Sequence, residues 1–300
     1  MLLPVIAGVD GSPESLAAAC WAAREADRRR LPLRLVHASD PRPRRTGGAF
    51  GTAGPGERAR SPLRQARDRV RAACPGVPLD EQQAEGDATA ALLRAAEQSE
   101  MLVLGSRGLS GFTGFLVGSV ALGVAARARR PVVLVRAGEE AADEHLPAAG
   151  GGGSTTTRYR DVVLGVDLDA PCDELIEFAF ESARTRAARL RVVHAWQQSS
   201  PFGLGPGEIG LVDGPLRARE WHGFLTAVLQ VWREKYPEVE VVETVTEGRA
   251  AHPLVRAASA AGLLVVGRHL TGRSPGPRTG PVAHSVIQHA GCPVAVVPHE

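Results

Sequence analysis

Apolar and polar positions along the chain follow two alternating rhythms. The short run "LPVIAGV", residues 3–9, predicts a buried strand. In the next segment, "SPESLAAACWAAREADRRR", Leu16, Ala19, Cys20 and Ala23 recur at helical spacing. Ser12 is placed to cap that helix, and Pro13 falls at its first position, where a missing N–H costs nothing. The pattern then repeats. "LPLRLVHA" reads as a strand, "SPLRQARDRVRAAC" as a helix, and "VPLDEQQAE" as a more polar strand near a sheet edge. "DATAALLRAAEQS" is a helix capped by Asp87, "MLVLGS" a strand, "SVALGVAARAR" a helix and "PVVLVRA" a fifth strand. Strands alternating with helices imply right-handed βαβ units and a parallel sheet covered on both faces.

The whole pattern occurs twice. "VIAGVDGS" at Val5 returns as "VVLGVDLD" at Val162, and "RLVHA" at Arg34 as "RVVHA" at Arg191. Gly86 then matches Gly248, Gly105 matches Gly267, and "PVVLV" at Pro131 matches "PVAVV" at Pro293. The offset grows from 157 to 162 residues, so the second copy carries an insertion of about five. A unit of roughly 140 residues is a whole domain rather than a solenoid repeat. The expected organisation is a first domain at 1–138, a flexible linker at 139–158 containing Gly150 to Gly153, and a second domain at 159–300.

Composition narrows the class. The chain has 300 residues, 44% hydrophobic and 23% charged, which suits two globular domains. Aromatics are only 4%, so the cores must rest on Val, Leu, Ile and Ala. A net charge of +2 argues against a dedicated nucleic-acid surface. Cys20, Cys74, Cys172 and Cys292 show no CxxC spacing and read as free thiols. No basic, long apolar leader opens the chain, and no run approaches the roughly 20 apolar residues of a membrane helix. The expectation is a cytoplasmic protein.

Candidate chemistry lies at strand ends. In open α/β sheets, ligands sit beyond the carboxyl ends of the strands, where the strand order reverses. Asp10 closes the first strand and Gly105 the fourth. The tract after Gly105, "GSRGLSGFTGFLVGSVA", has the spacing Gly105-x2-Gly108-x9-Gly118-Ser119. This spacing, with "GVDGS" after strand one and "VHA" ending strand two, resembles the nucleotide-binding signature of the universal stress protein family. The resemblance spans both copies. It implies two tandem doubly wound domains, each a five-stranded parallel sheet in the order 3-2-1-4-5 with helices on both faces. It also implies an ATP-binding stress-response regulator, loaded with or without magnesium. Carried onto this sequence, the resemblance puts Asp10 on the ribose or adenine side, Gly8 on the floor and the Ala38 backbone at the adenine edge. Gly105, Arg107 and Gly108 face the phosphates, and Gly118, Ser119 and Val120 open the last helix, whose free N–H groups attract anions. It further implies that the fifth strands, Val132 to Val135 and Val294 to Val297, pair within the chain or in a homodimer. Their Pro-led apolar edges need such cover.

The second copy departs from the signature. Leu270 stands for the middle glycine and Pro281 for the serine, so ATP binding is expected to be weak or absent there. Arg268, Arg273 and Arg278 offer positive charge in partial exchange. His37 and His194 read as packed strand-end residues, and Trp196, Phe202, Trp221 and Trp232 as packing. His284, His289 and His299 lack metal-ligand spacing, so no metal site is expected. "PRPRR" at 41–45 is expected to be a solvated loop near the nucleotide.

Other chemistries fail on residue type. Lys235 is the only lysine and lies outside any GxxxxGKS/T loop. "GVDGS" is not GxGxxG, and no GxSxG elbow occurs. No general base or lysine is evident for phosphoryl transfer, so an enzyme is not expected, slow intrinsic hydrolysis apart. Two alternatives stay open: an adenylate-handling enzyme on a related α/β fold, although HxGH and SGGxDS motifs are missing, and a scaffold with vestigial sites.

Overall fold

The computed structural model describes residues 2–39, 61–106, 118–197, 214–270 and 279–300. The chain divides into two compact units, Met1–Glu140 and Ala141–Glu300. In the first, β1 (Val5–Gly8), β2 (Leu33–Ser39), β3 (Leu79–Glu85), β4 (Met101–Ser106) and β5 (Val132–Arg136) lie in the order β3-β2-β1-β4-β5. All the paired strands are parallel. The second unit repeats this with β6 (Asp161–Gly165), β7 (Leu190–Trp196), β8 (Val241–Glu247), β9 (Ala261–His269) and β10 (Val294–His299), in the order β8-β7-β6-β9-β10. Each unit is thus the expected doubly wound α/β sheet.

Burial follows the predicted pattern. The central strands β1 and β4 are apolar and buried along almost their whole length, as strands covered on both faces must be. The polar β3 is mostly exposed and lies at the edge. The first-unit helices are α1 (Pro13–Arg29), α2 (Pro62–Ala73), α3 (Ala88–Glu97) and α4 (Ser119–Ala125). Three of them are capped as the sequence suggests. Ser12 accepts from the Ser15 N–H, Ser61 from Arg64 and Asp87 from Ala90, at 3.2, 3.3 and 2.9 Å. The second-unit helices are α5 (Asp173–Arg186), α6 (Gly214–Lys235), α7 (Ala251–Ala258) and α8 (Pro281–His289). Cys172, Ala250 and Gly280, the caps of α5, α7 and α8, give no side-chain cap bond.

The growing repeat offset has a location. β2 and β7 keep the early offset, β3 and β8 the later one, so the extra residues fall between them. There α6 has 22 residues where α2 has 12. The extra residues lie at the N-terminal end of α6, and an aromatic cluster forms at its C-terminal end. Phe180 of α5 stacks on Trp232 and Tyr236, with ring centroids 6.2 and 5.5 Å away. Trp196 and Trp232 are buried, and Trp221 lies 4.8 Å from the His194 ring. Phe202 lies outside the described residues.

Within the tract expected to be a flexible linker, 139–158, the residues from Ala141 on are folded and group with the second unit. A short 3-10 turn at Ala141–Glu144 leads into an antiparallel bridge between His145 and Tyr159. The Leu146 N–H donates to the Arg158 carbonyl at 2.8 Å, and Thr157 Oγ1 donates to the Leu146 carbonyl. Glu144 is only 1% exposed, and its carbonyl accepts from the Arg160 N–H at 2.8 Å. The four glycines sit at the tip of this hairpin, where Gly151 takes a positive φ of 79°. The glycine run therefore supplies a turn, and the sequence around it supplies the pairing.

Two helices end on non-glycine residues in the left-handed region: Arg30 at φ 55° and Ala187 at φ 47°. They are equivalent positions in the two copies, both closing the turn between a first helix and a second strand. That conformation costs an L-residue roughly 1–2 kcal/mol, while glycine adds about 0.5–1 kcal/mol of unfolded-chain entropy. Ala187→Gly is therefore expected to stabilise the second unit by about 0.5–1 kcal/mol, read as a higher urea midpoint at unchanged slope.

Candidate functional site

Strand register creates a notch at the carboxyl edge of the first sheet. β1 stops pairing with β2 at Gly8–Val36 and with β4 at Ala7–Val103. β2 continues to Ser39, paired with β3, and β4 to Ser106, paired with β5. The short central strand thus forms a floor between two longer walls. Gly8 and Asp10 lie at the floor, Ala38 on one wall and Gly105 on the other, so the notch brings four expected residues together. Gly118, Ser119 and Val120 are placed at the start of α4, which packs on α3, β4 and β5. Arg107 and Gly108 lie outside the described residues, as do 41–45, Arg273 and Arg278.

The turn after β1 is tightly specified. Asp10 Oδ1 accepts from the Ser12 N–H at 3.0 Å and the Ser12 hydroxyl at 2.5 Å. Gly11 between them has a φ of 84°, which glycine adopts freely. The Ser15 hydroxyl accepts from the Asp10 N–H at 3.3 Å and donates to the Ser12 carbonyl at 3.0 Å. From β2, His37 Nδ1 lies 2.7 Å from the Val9 carbonyl. A carbonyl only accepts, so Nδ1 carries the proton. His37 is indeed a strand-end packing residue, but it packs on the peptide that carries Asp10. Sequence reasoning passed over Ser15; the "SPES" tract was its one signal.

The site glycines divide by what their missing Cβ would meet. At Gly8 it would strike Leu104 at 2.6 Å and Leu92 at 2.9 Å, so this glycine admits α3 onto the sheet. At Gly105 it would strike the backbone of Glu14 at 2.6 Å and the Ser15 nitrogen at 2.7 Å. The glycine requirement at 105 thus comes from the first turn of α1, which lies directly on β4. At Gly118 it would meet none of the described residues within 4 Å, and φ is an ordinary −58°. Gly118 precedes the exposed Ser119 at the start of α4.

The second unit has the same notch in strand register but fills it differently. Pairing of β6 ends at Gly165 with Val193 on one side and Val266 on the other, while β7 and β9 run on. Asp167 remains exposed and accepts from the Asp169 N–H at 3.1 Å. Leu168, in the place of Gly11, is 2% exposed. α5 begins eight residues after the end of β6, whereas α1 begins five after β1. The backbone turn that covers Gly105 is therefore not repeated over Gly267. A Cβ at Gly267 would meet His299 Nε2 at 2.5 Å and Leu175 at 3.1 Å instead. Leu270 is 39% exposed, and its N–H donates to the His299 carbonyl at 2.7 Å. At the start of α8, Gly280 has φ 83° and ψ 153°, and Pro281 offers no N–H.

Burial and neighbours set the titration of this region. Burial, then a bond to Glu174 Oε2 at 3.0 Å, pushes the Cys172 thiol up to about 11. Burial first, and then the His269 ring 4.2 Å away, hold the His299 imidazole below its ordinary range. All four cysteines are free. Among the described residues, no group of three His, Cys, Asp or Glu side chains is placed to hold a metal ion. No described helix is long and apolar enough to cross a membrane.

With this geometry in view, comparison with known proteins gives one answer. The sequence profile of the Universal stress protein family matches residues 1–136 and 158–298. A universal stress protein of Mycolicibacterium smegmatis is 31% identical over 309 residues, covering 98% of this chain and 96% of its own. One from Mycobacterium tuberculosis is 30% identical over 302 residues, covering 97% and 96%. The crystal structure of a universal stress protein from Archaeoglobus fulgidus aligns with 99% of this chain and 98% of its own, at a TM-score of 0.61 and 14% identity. That last likeness speaks for the fold. The chain belongs to the universal stress protein family.

The glycine contacts and the buried imidazole each carry an expectation for stability. Gly105→Ala overpacks α1 against β4 and costs about 1–3 kcal/mol. Gly280→Ala forces a glycine-only conformation at about 1–3 kcal/mol. Gly118→Ala stays within about 0.5 kcal/mol of wild type. Urea unfolding of the three variants measures the ranking. For His299, whose proton is bound more readily unfolded than folded, stability is complete above about 6.5, the ordinary imidazole value. It is lost as pH falls below that value. The urea midpoint of the second unit should therefore drop between about pH 7 and 5, and His299→Gln should flatten the slope.

Proposed function

We propose that the first unit binds ATP, with or without magnesium, in the notch between β1 and β4, and that the protein is a nucleotide-binding regulator of the stress response in the cytoplasm. The observation that carries this reading is the short β1 between longer β2 and β4, with Asp10 fixed at its end. In a sheet of order 3-2-1-4-5 that is the position where strand order reverses and ligands collect. The residues fit the group. Asp10 offers an acceptor to the ribose hydroxyls, and the Ala38 peptide lies on a wall beyond the end of β1 pairing. Gly118 leads into α4, where the first N–H groups and the Ser119 hydroxyl supply donors to phosphate. Arg107 and Gly108 join the phosphate side in this reading.

The chain acts by binding rather than by turnover. Asp10, the carboxylate of the notch, is committed to its own turn through Ser12, and the sole lysine, Lys235, pairs with Glu177. The second unit does not take ATP. Leu168 is buried at the turn, His299 and Leu175 stand over Gly267, and Pro281 removes one amide from the α8 terminus.

Losing a hydrogen bond to a charged group costs about 1.5–3 kcal/mol, or roughly ten- to hundredfold in affinity. Titration calorimetry should show that loss in Asp10→Ala and in Ser119→Ala, with one ATP per chain in the wild type. Unchanged affinity in both variants, or two ATP per chain, would overturn the assignment.

A further inference from the structure

The peptide between Val9 and Asp10 is held at both of its polar ends. Its carbonyl accepts from His37 Nδ1 at 2.7 Å, and its N–H donates to the Ser15 hydroxyl at 3.3 Å. The two clamps come from different elements, the end of β2 and the first turn of α1. Ser15 is 4% exposed, and its hydroxyl is itself anchored on the Ser12 carbonyl at 3.0 Å. A peptide plane fixed at both ends fixes the N–Cα bond of the residue after it, here Asp10, and so confines its Cβ to a cone about that bond. The Asp10 carboxylate is then braced by Ser12, so its rotation is limited as well.

The second unit supplies a comparison within the same chain. His194, equivalent to His37, places Nδ1 3.2 Å from the Val166 carbonyl, immediately before Asp167. The carbonyl half of the clamp thus recurs, with a longer bond. Five residues beyond Asp167, where Ser15 stands relative to Asp10, is Cys172, whose thiol is turned to Glu174 at 3.0 Å. The full clamp accompanies the open turn, and the half clamp accompanies the turn plugged by Leu168.

We propose that His37 and Ser15 are positioning residues for the nucleotide, acting through Asp10: they aim its carboxylate at the ribose hydroxyls and so set the preference for a ribonucleotide over an analogue without those hydroxyls. This rests on the reading of the first unit as an ATP site. His37 also has a defined tautomer, Nδ1–H, which is the form its carbonyl partner demands. Phenylalanine keeps the ring and loses the donor. Asparagine keeps a donor close to the Nδ1 position.

The experiment is calorimetric titration of the full chain with ATP and with 2′,3′-dideoxy-ATP, for wild type, His37→Phe, His37→Asn, Ser15→Ala and Asp10→Ala. Wild type should prefer ATP by about tenfold or more. His37→Phe and Ser15→Ala should lose most of that preference while affinity for the dideoxy analogue stays within about twofold. His37→Asn should retain the preference. In the Asp10→Ala background, adding His37→Phe should change nothing further, since both act on one interaction. Parallel loss for both nucleotides would show a general structural effect and overturn the inference. So would an intact preference in His37→Phe and Ser15→Ala. If His37→Phe does not fold, Ser15→Ala decides alone, because it breaks the other end of the same peptide. If wild type shows no preference, or Asp10→Ala keeps it, the nucleotide reading of the notch itself falls.

Discussion

The first unit depends on a close contact between backbones: the opening turn of α1 rests on β4 at Gly105, with no room for a single carbon between them. That contact fixes where α1 starts. Its starting point fixes Ser12 and Ser15, and these two hydroxyls together define the turn around Asp10. A carboxylate at the end of a buried strand would otherwise be a mobile group on a loop. Here its direction comes from helix packing and from the hydrogen bonds within the turn. The arrangement is inexpensive in sequence, needing one glycine on β4 and two serines five and two positions beyond the aspartate.

The second unit shows the consequence of giving that contact up. Gly267 is retained, but α5 starts a turn later, and side chains occupy the space instead. A leucine at 168 adds apolar burial where the first unit has a glycine of positive φ, and the cap bonds of α1 and α3 have no counterpart at α5 and α7. The two copies keep one sheet order and one register. Their divergence is concentrated at the carboxyl edge, where packing is least constrained by the core and a side chain can take the place of backbone.

Much of this was readable in the chain. Strands such as "MLVL" and "PVVLV" announce themselves because a parallel sheet buries both faces, and Ser12, Ser61 and Asp87 mark helix starts by a local bond that needs no tertiary information. The position of Asp10 and Gly105 at neighbouring strand ends came from the order of elements. The roles of the glycines did not. Gly8 and Gly105 serve the approach of α3 and α1, contacts between residues far apart in sequence, while Gly118 meets no steric need among the described residues. His37 looked like ordinary packing because its partner, the Val9 carbonyl, is backbone and leaves no trace in residue type. The glycine run at 150–153 misled in the opposite way, since a composition that allows disorder also allows the tip of a tight hairpin.

That hairpin bears on where the second unit begins. Sequence similarity to the family resumes at residue 158, yet Glu144 and His145 are already buried against the rest of the second unit, and Arg160 bonds back to the carbonyls of both. A fragment cut at the border of family likeness would leave the start of β9 bare, near Gly262, where the Glu144 carbonyl now lies. The compact unit starts at Ala141. In this protein the stretch of family likeness and the compact unit have different edges, and residues 141–157, outside the likeness, belong to the second unit.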